Sequence, residues 1–292
     1  MIRKLTFRLV LIAIAWLALI VGASLSVHVV MLDVLSIPHP TTDQVPDWTR
    51  LLNEVGSVLA AGVFYRLARA SLRTQSITTH WLFLWVLFTM LHEALFRNFI
   101  MSGVVSHDWF YCLVANLPEP LVMLMVSGLV VVAAERFEGI PFTALLVSIG
   151  ATAHYVFRPG VAAAFQPVIA HFEYLDTGNI YNPPYNWHVN VPSYLTFFEP
   201  AASAFAIAGL VWAALPRKSF TRTVTFVLLI VTLKGSLLPL LIYSFYQPRP
   251  LGAALLSESQ FFLEVLLMAV LTAASWQFGP FNAAWIRRAH QG

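Results

Sequence analysis

Two short stretches of this sequence place an ionisable side chain four residues ahead of an arginine: Glu93-Ala94-Leu95-Phe96-Arg97 and His154-Tyr155-Val156-Phe157-Arg158. On a helix that spacing brings the two ends of each stretch to one face, a turn apart. Guanidinium groups bind phosphates and carboxylates through paired hydrogen bonds, so Arg97 and Arg158 are expected to hold an anion jointly, with His92 beside them. Glu93 and His154 would then serve as acid or base, positioned by Glu119 and Glu199, each of which is followed by proline. Asn116 opens the segment Asn116-Leu117-Pro118-Glu119-Pro120 and is expected to touch the bound molecule. The two prolines there remove donors that a continuous helix needs, and broken backbone at membrane depth persists only where protein or a water-filled cavity surrounds it. Glu119 is therefore expected to line a cavity. The competing reading makes the same groups structural, with Glu93 and His154 bridged to their own arginines or to Glu119 and Glu199.

Lys234 lies in a long apolar run and needs a partner if charged; Glu264, at similar depth on the following helix, is the expected one. His92, Glu93 and His154 are suitable zinc ligands by type, but no His-Glu-x-x-His or similar spacing supports a metal, and none is expected. No cofactor follows from the sequence, since His28, His92 and His154 do not form an evident axial pair for haem. The string His92-Glu93-Ala94-Leu95-Phe96-Arg97-Asn98 resembles, over seven residues, the Glu-Glu-x-x-Phe-Arg-Gly motif of CAAX-type intramembrane proteases. It departs from that motif at His92 and Asn98, and Gly150 stands where the family has Phe four residues before its histidine, so membership is not assigned.

The elements that would position these groups are membrane helices. Of 292 residues, 59% are hydrophobic and 11% charged, against roughly a quarter charged in a soluble domain. Apolar runs near the ~20 residues needed to cross a bilayer recur throughout and leave no room for a separate soluble domain. The fold class expected is all-α, one polytopic transmembrane bundle, with about eight helices near 9–32, 49–66, 79–101, 111–134, 140–165, 193–214, 224–246 and 253–276. The first run, with Arg3, Lys4 and Arg8 ahead of it, has the look of a signal peptide. Its apolar stretch continues through His28 to Met31, so an uncleaved helix is expected. The single cysteine, Cys112, has no partner for a disulfide, and nucleic-acid binding is not expected.

With the N-terminus inside, the inner segments carry Arg3, Lys4, Arg8, Arg66, Arg69, Arg73, Arg136, Arg217, Lys218, Arg222, Arg287 and Arg288, most of the 17 basic residues. Of the 14 acidic residues they hold only Glu135 and Glu138. The positive-inside rule then gives a chain with both termini cytoplasmic in an inner membrane. Counting about 1.5 Å per residue from the inner ends, Glu54, Glu93, His154, Lys234 and Glu264 fall midway, and Arg97, Glu119, Arg158 and Glu199 nearer the outer face. The longest outward connection, residues 166–192, holds Tyr174, Tyr181, Tyr185 and Trp187 and is expected to cap the helix ends or merely to cover them.

Glu54 and Glu119 recur as Glu199 and Glu264 at a common offset of 145 positions, which suggests a weak 4+4 parallel repeat. Three function classes are compatible with these observations. The leading one binds or processes an anionic amphiphile, such as a lipid or polyprenyl phosphate, at an intramembrane site open to the periplasm. The second is a proton-coupled transporter using Glu93, Glu264 and Lys234. The third is a non-catalytic subunit of an oligomer or larger membrane complex. Membrane lipids are partners in every case.

Overall fold

The computed structural model describes residues 2–281, and side chains from Phe7 onward. Arg287 and Arg288, and the C-terminal end of the expected topology, lie outside the described residues. Every regular element there is helical. The helices are α1 (Ile2–Val29), α2 (Asp47–Leu72), α3 (Ile77–Leu91), α4 (Arg97–Ser106), α5 (Trp109–Asn116), α6 (Pro118–Arg136), α7 (Gly139–Thr152), α8 (Arg158–Phe172), α9 (Trp187–Thr196), α10 (Phe198–Val211), α11 (Ser219–Leu233), α12 (Leu237–Ile242) and α13 (Leu251–Phe278). Local chemistry fixes several ends. The Ser76 hydroxyl accepts from the Thr79 amide at 3.2 Å to start α3, and Pro118 opens α6 at the one helical position where its missing N–H costs nothing.

Six continuous helical segments are long and apolar enough to cross a membrane: Phe7–Val34, Asp47–Leu72, Trp109–Arg136, Gly139–Leu175, Trp187–Val211 and Leu251–Phe278. A seventh arises if α11 and α12, bent by 80° at their junction, form one span. This is a multi-pass membrane protein by its helices. The runs expected at 79–101 and 224–246 are not single helices. The first stops at Leu91 and resumes at Arg97, leaving α3 only about 22 Å long, short of a ~30 Å hydrocarbon core. The second breaks at Lys234–Ser236. The run expected at 111–134 contains a join at Leu117, and the one expected to end at 165 continues to Phe172 through a π-helical turn at Ala153–Phe157.

The bundle centres on α2, α10 and α13. α2 packs against α6, α7, α10 and α11, while α13 packs against α1, α10 and α11. Their facing surfaces are rich in small residues: Ala60, Ala61 and Ala68 on α2, Ala201, Ala204 and Ala208 on α10, and Ala269 and Ala273 on α13 are all buried. Between helices in lipid, close van der Waals approach replaces the hydrophobic driving force, and small side chains permit it. Gly150 is the tightest case, because a methyl group there would come within 2.8 Å of the Val55 Cα. The outward surfaces are apolar instead, as with Leu11, Ile14, Phe83, Leu129, Leu228 and Val270, a pattern suited to lipid.

At one end of the bundle the Tyr65 hydroxyl donates to Glu135 at 2.7 Å and lies 2.7 Å from the His80 ring, while Arg69 bridges to Glu135 at 2.5 Å. The opposite end is covered by connections that fold back on the helices. Ser257 and Gln260 donate to the Pro38 carbonyl at 2.7 and 3.0 Å. The Ile180 amide donates to the Val105 carbonyl at 2.8 Å, and the Thr177 hydroxyl to the Ser106 carbonyl at 2.8 Å. The segment expected to be one long loop at 166–192 is thus shorter, with its flanks absorbed into α8 and α9, and what remains is tied down over α4 and α5.

The α2–α7 seam gives a direct test. Gly150→Val is expected to lower the melting temperature by the equivalent of about 1–3 kcal/mol, the usual cost of overpacking. Gly22→Ala, at a position with nothing within 4 Å of the new methyl, should be neutral or stabilising by a few tenths to 1 kcal/mol. Thermal unfolding of both variants in the same detergent is the measurement.

Candidate functional site

Both broken helices fail at the same place. α3 ends in the turn His92–Phe96, where Glu93 takes a left-handed backbone conformation (φ 64°), uncommon for a residue with a side chain. α11 ends at Lys234, followed by Gly235 (φ 68°). The left-handed φ favours glycine at 235, and so does the space, since a methyl there would meet Asn53 Nδ2 at 2.8 Å and Ser57 Oγ at 2.9 Å. At this double break the Glu93 carboxylate receives both cations. Its Oε2 accepts from Arg97 Nε at 2.7 Å, and its Oε1 is in contact with Lys234 Nζ.

Arg97 is then saturated by its surroundings. Its NH1 donates to the Ser193 carbonyl at 2.6 Å and to the Thr196 hydroxyl at 2.7 Å. The break in the α3–α4 backbone is healed from a distance by Glu199. This fully buried carboxylate accepts from the amides of Leu95, Phe96 and Arg97 at 2.9, 3.2 and 2.6 Å. Orphan N–H groups at a helix start must find acceptors, and a carboxylate is the strongest one available.

The Glu93–Lys234 contact forms part of the wall of a cavity of about 730 Å³. It is enclosed by the end of α1, the 35–46 connection, α4, α9, the α11–α12 bend and α13. Amides and hydroxyls of Asn98, Asn116, Asn179, Asn190, Tyr185 and Tyr243 line it, together with the carboxylates of Asp33, Glu93, Glu258 and Glu264. Glu258 accepts from Gln247 Nε2 at 2.7 Å. Glu264 differs. It is 5% exposed, accepts no hydrogen bond from any described protein group, and has the His28 ring as its nearest cationic candidate, with Nδ1 at 4.0 Å. On the loop side, burial pushes the His39 imidazole below its ordinary range, against the opposing pull of Asp33.

Arg158 belongs to a separate cluster. Its Nε donates to Glu54 at 2.9 Å and its NH1 contacts Glu119. Beside it is a second polar cavity of about 130 Å³, lined among others by Asn53, Ser57 and His92. The His92 ring donates through Nε2 to the Leu233 carbonyl at 2.8 Å.

The sequence-predicted residues therefore divide. Glu93, Arg97, Asn116, Lys234 and Glu264 share the large cavity, and the Asn116 amide also donates to the Cys112 carbonyl at 2.7 Å. Arg158, Glu119 and His92 line or adjoin the small one, and Glu199 serves α4. His154 pairs with Asp47 at 2.9 Å, away from both. Two expectations are corrected. Arg97 and Arg158 do not face each other across one mouth, because the break after Leu91 and the π-helical turn before Arg158 reorient both, and each is already engaged by carboxylates. Lys234 does not pair with Glu264, because the α11 terminus delivers its ammonium to Glu93 instead. Glu54 and Glu119 share one arginine, whereas Glu199 and Glu264 share none, so the two halves of the suggested repeat use their carboxylates differently. Sequence reasoning missed His39, Asp33, Tyr185, Glu258 and Phe261 in the cavity wall. Only the Phe261–Glu264 spacing, one helical turn, carried a signal for any of them.

Among the described residues no three or more His, Cys, Asp or Glu side chains are drawn together as a metal site. Comparison with protein-family models, curated proteins and solved structures yields no match to this chain.

Glu93→Gln should strip two cations of their counter-charge and destabilise the solubilised protein by about 3–5 kcal/mol, the range for breaking a buried pair. Adding Lys234→Met should recover part of that loss, and Lys234→Met should couple more strongly to Glu93→Gln, its contact partner, than to Glu264→Gln. Thermal melts of the single and double variants check both; coupling between 234 and 264 rather than 93 would reassign the pair.

Proposed function

We propose that this protein is a carrier that moves a small polar or amphiphilic solute across the membrane in exchange for, or together with, a proton. The observation that carries this reading is the meeting of two broken helices at one shared, partly buried carboxylate in the wall of a solute-sized cavity. Discontinuous helices that line a central site are a recurrent construction of secondary transporters, because the broken backbone supplies polar groups and the short halves can move. The ionisable groups fit as well. A charge at a helix centre costs on the order of 3 kcal/mol, yet Glu93, Lys234, Arg97 and Glu264 are gathered here.

In this reading α1, α2, α3 with α4, α5 with α6, α7 with α8, α9 with α10, α11 with α12, and α13 make eight crossings. The end bearing Arg66, Arg69, Arg136 and Arg222 faces the cytoplasm by the positive-inside rule, the cavity opens outward, and the membrane is the inner one. Binding or processing of an anionic lipid head group is the second reading. Its support is Lys234, an ammonium with three donors that spends one on Glu93 within a cavity walled in part by Leu32, Met101, Val105 and Phe261.

Two-sided access separates the readings. In a Cys112→Ala background, Ser236→Cys, at the cavity wall, should be labelled by a membrane-impermeant thiol reagent from the outer face in right-side-out vesicles and from the inner face in inverted ones. A carrier alternates its access, so at least partial labelling is expected from both. Labelling from one face only would defeat the carrier and leave a one-sided binding or catalytic pocket.

A further inference from the structure

Among the described residues, Glu264 is the buried carboxylate of the large cavity that accepts no hydrogen bond from the protein, with only the His28 ring nearby at 4.0 Å. The cations and the other deeply buried carboxylate near it already have partners. Arg97 and Lys234 are held by Glu93, and Glu258 accepts from Gln247. The groups facing Glu264 from the surrounding elements are His28 on α1, Glu93 and Arg97 at the α3–α4 break, and Lys234 at the end of α11. With Glu264 ionised, the two cations and two carboxylates of this set cancel. Asp33 and Glu258 add two more carboxyl groups to the wall, which among the described residues carries no Lys or Arg besides Lys234 and Arg97. A further anion would meet that excess; a cation would relieve it.

The surroundings of Glu264 add a second, independent observation. His28, His39 and Phe261 form an aromatic group in the same wall. Ring centroids are 5.0 Å apart for His28 and Phe261, 5.5 Å for His28 and His39, and 6.0 Å for His39 and Phe261, the last pair stacked. Phe261 is one helical turn from Glu264 on α13, on the same face, and both line the cavity. His28 Nδ1 is buried and itself has no hydrogen-bond partner. A carboxylate and an aromatic ring lining the same cavity wall together suit an ammonium group, through charge pairing with the one and attraction to the face of the other.

We propose that Glu264, with the aromatic group of Phe261, His28 and His39, binds the ammonium group of an organic amine. The apolar wall formed by Leu32, Met101, Val105 and Val265 would take the hydrocarbon part of the same molecule. Proton and amine compete for one carboxylate, so amine binding displaces the proton from a protonated Glu264. The amine half of this inference stands on the site alone, while its use in exchange across the membrane rests on the carrier reading.

The test uses the full-length protein in nanodiscs of zwitterionic lipid, with hexylammonium as the probe and hexanol and hexyl phosphate as controls, measured by titration calorimetry at pH 6 and pH 8. Hexylammonium should bind at least tenfold more tightly than hexanol at pH 8, and that preference should weaken on acidification as protons compete. Glu264→Gln should erase both the preference and its pH dependence, and Phe261→Leu should reduce the preference severalfold while hexanol binding changes little. Should Glu264→Gln fail to fold, the Phe261→Leu and pH arms decide alone. Equal binding of hexylammonium and hexanol overturns the proposal, as does an ammonium preference that survives Glu264→Gln, or tighter binding of hexyl phosphate that is lost in Lys234→Met. Because the assay is at equilibrium, it fails separately from the carrier. Two-sided labelling without amine binding removes the amine and keeps the carrier; amine binding with one-sided labelling keeps the site and removes the carrier.

Discussion

The carboxylate of Glu93 is the constraint from which the rest of the site follows. Two helices stop near the same depth, and each presents a cation at its break, Arg97 at the start of α4 and Lys234 at the end of α11. Either cation alone in low dielectric would be costly. One glutamate between them makes the pair tolerable, and it joins segments 141 positions apart in the chain. The left-handed backbone at Glu93 is consistent with that duty, since the turn must aim one side chain at two partners on different helices.

The same economy governs the backbone. The turn at His92–Phe96 exposes amide groups that an unbroken helix would have used, and Glu199 on α10 accepts three of them. A carboxylate that sequence reasoning placed beside the chemistry is in fact a remote helix cap. It leaves no vacancy for an external anion at the start of α4, so the positive end of that helix is spent inside the protein. The free acidic capacity of the cavity lies instead on α13.

Much of the architecture was legible as apolar runs. The helix starting at Pro118 was marked by its own prolines, but the bend after Lys234 is hidden within the apolar run expected at 224–246, despite the glycine beside it. The break at His92–Phe96 was not legible, because no proline or glycine marks it and its amides are satisfied by a residue over a hundred positions away. Partner choice failed for a related reason. Depth along a helix can be counted from sequence, and Lys234, Glu93 and Glu264 do line one cavity while His154 and Glu54, counted to the same depth, do not, because depth does not fix which way each helix faces. The equal spacing in the two Phe-Arg stretches suggested equivalent sites. Their different backbone paths, a turn in one and a π-helical segment in the other, sent Arg97 and Arg158 into different clusters.

Gly235 stands between those clusters. One side of it borders the large cavity, and the space where its side chain would stand is taken by Asn53 and Ser57, which line the small one. At Gly235 the two polar compartments are therefore neighbours, one bordered by its backbone and the other by the amide and hydroxyl packed against it.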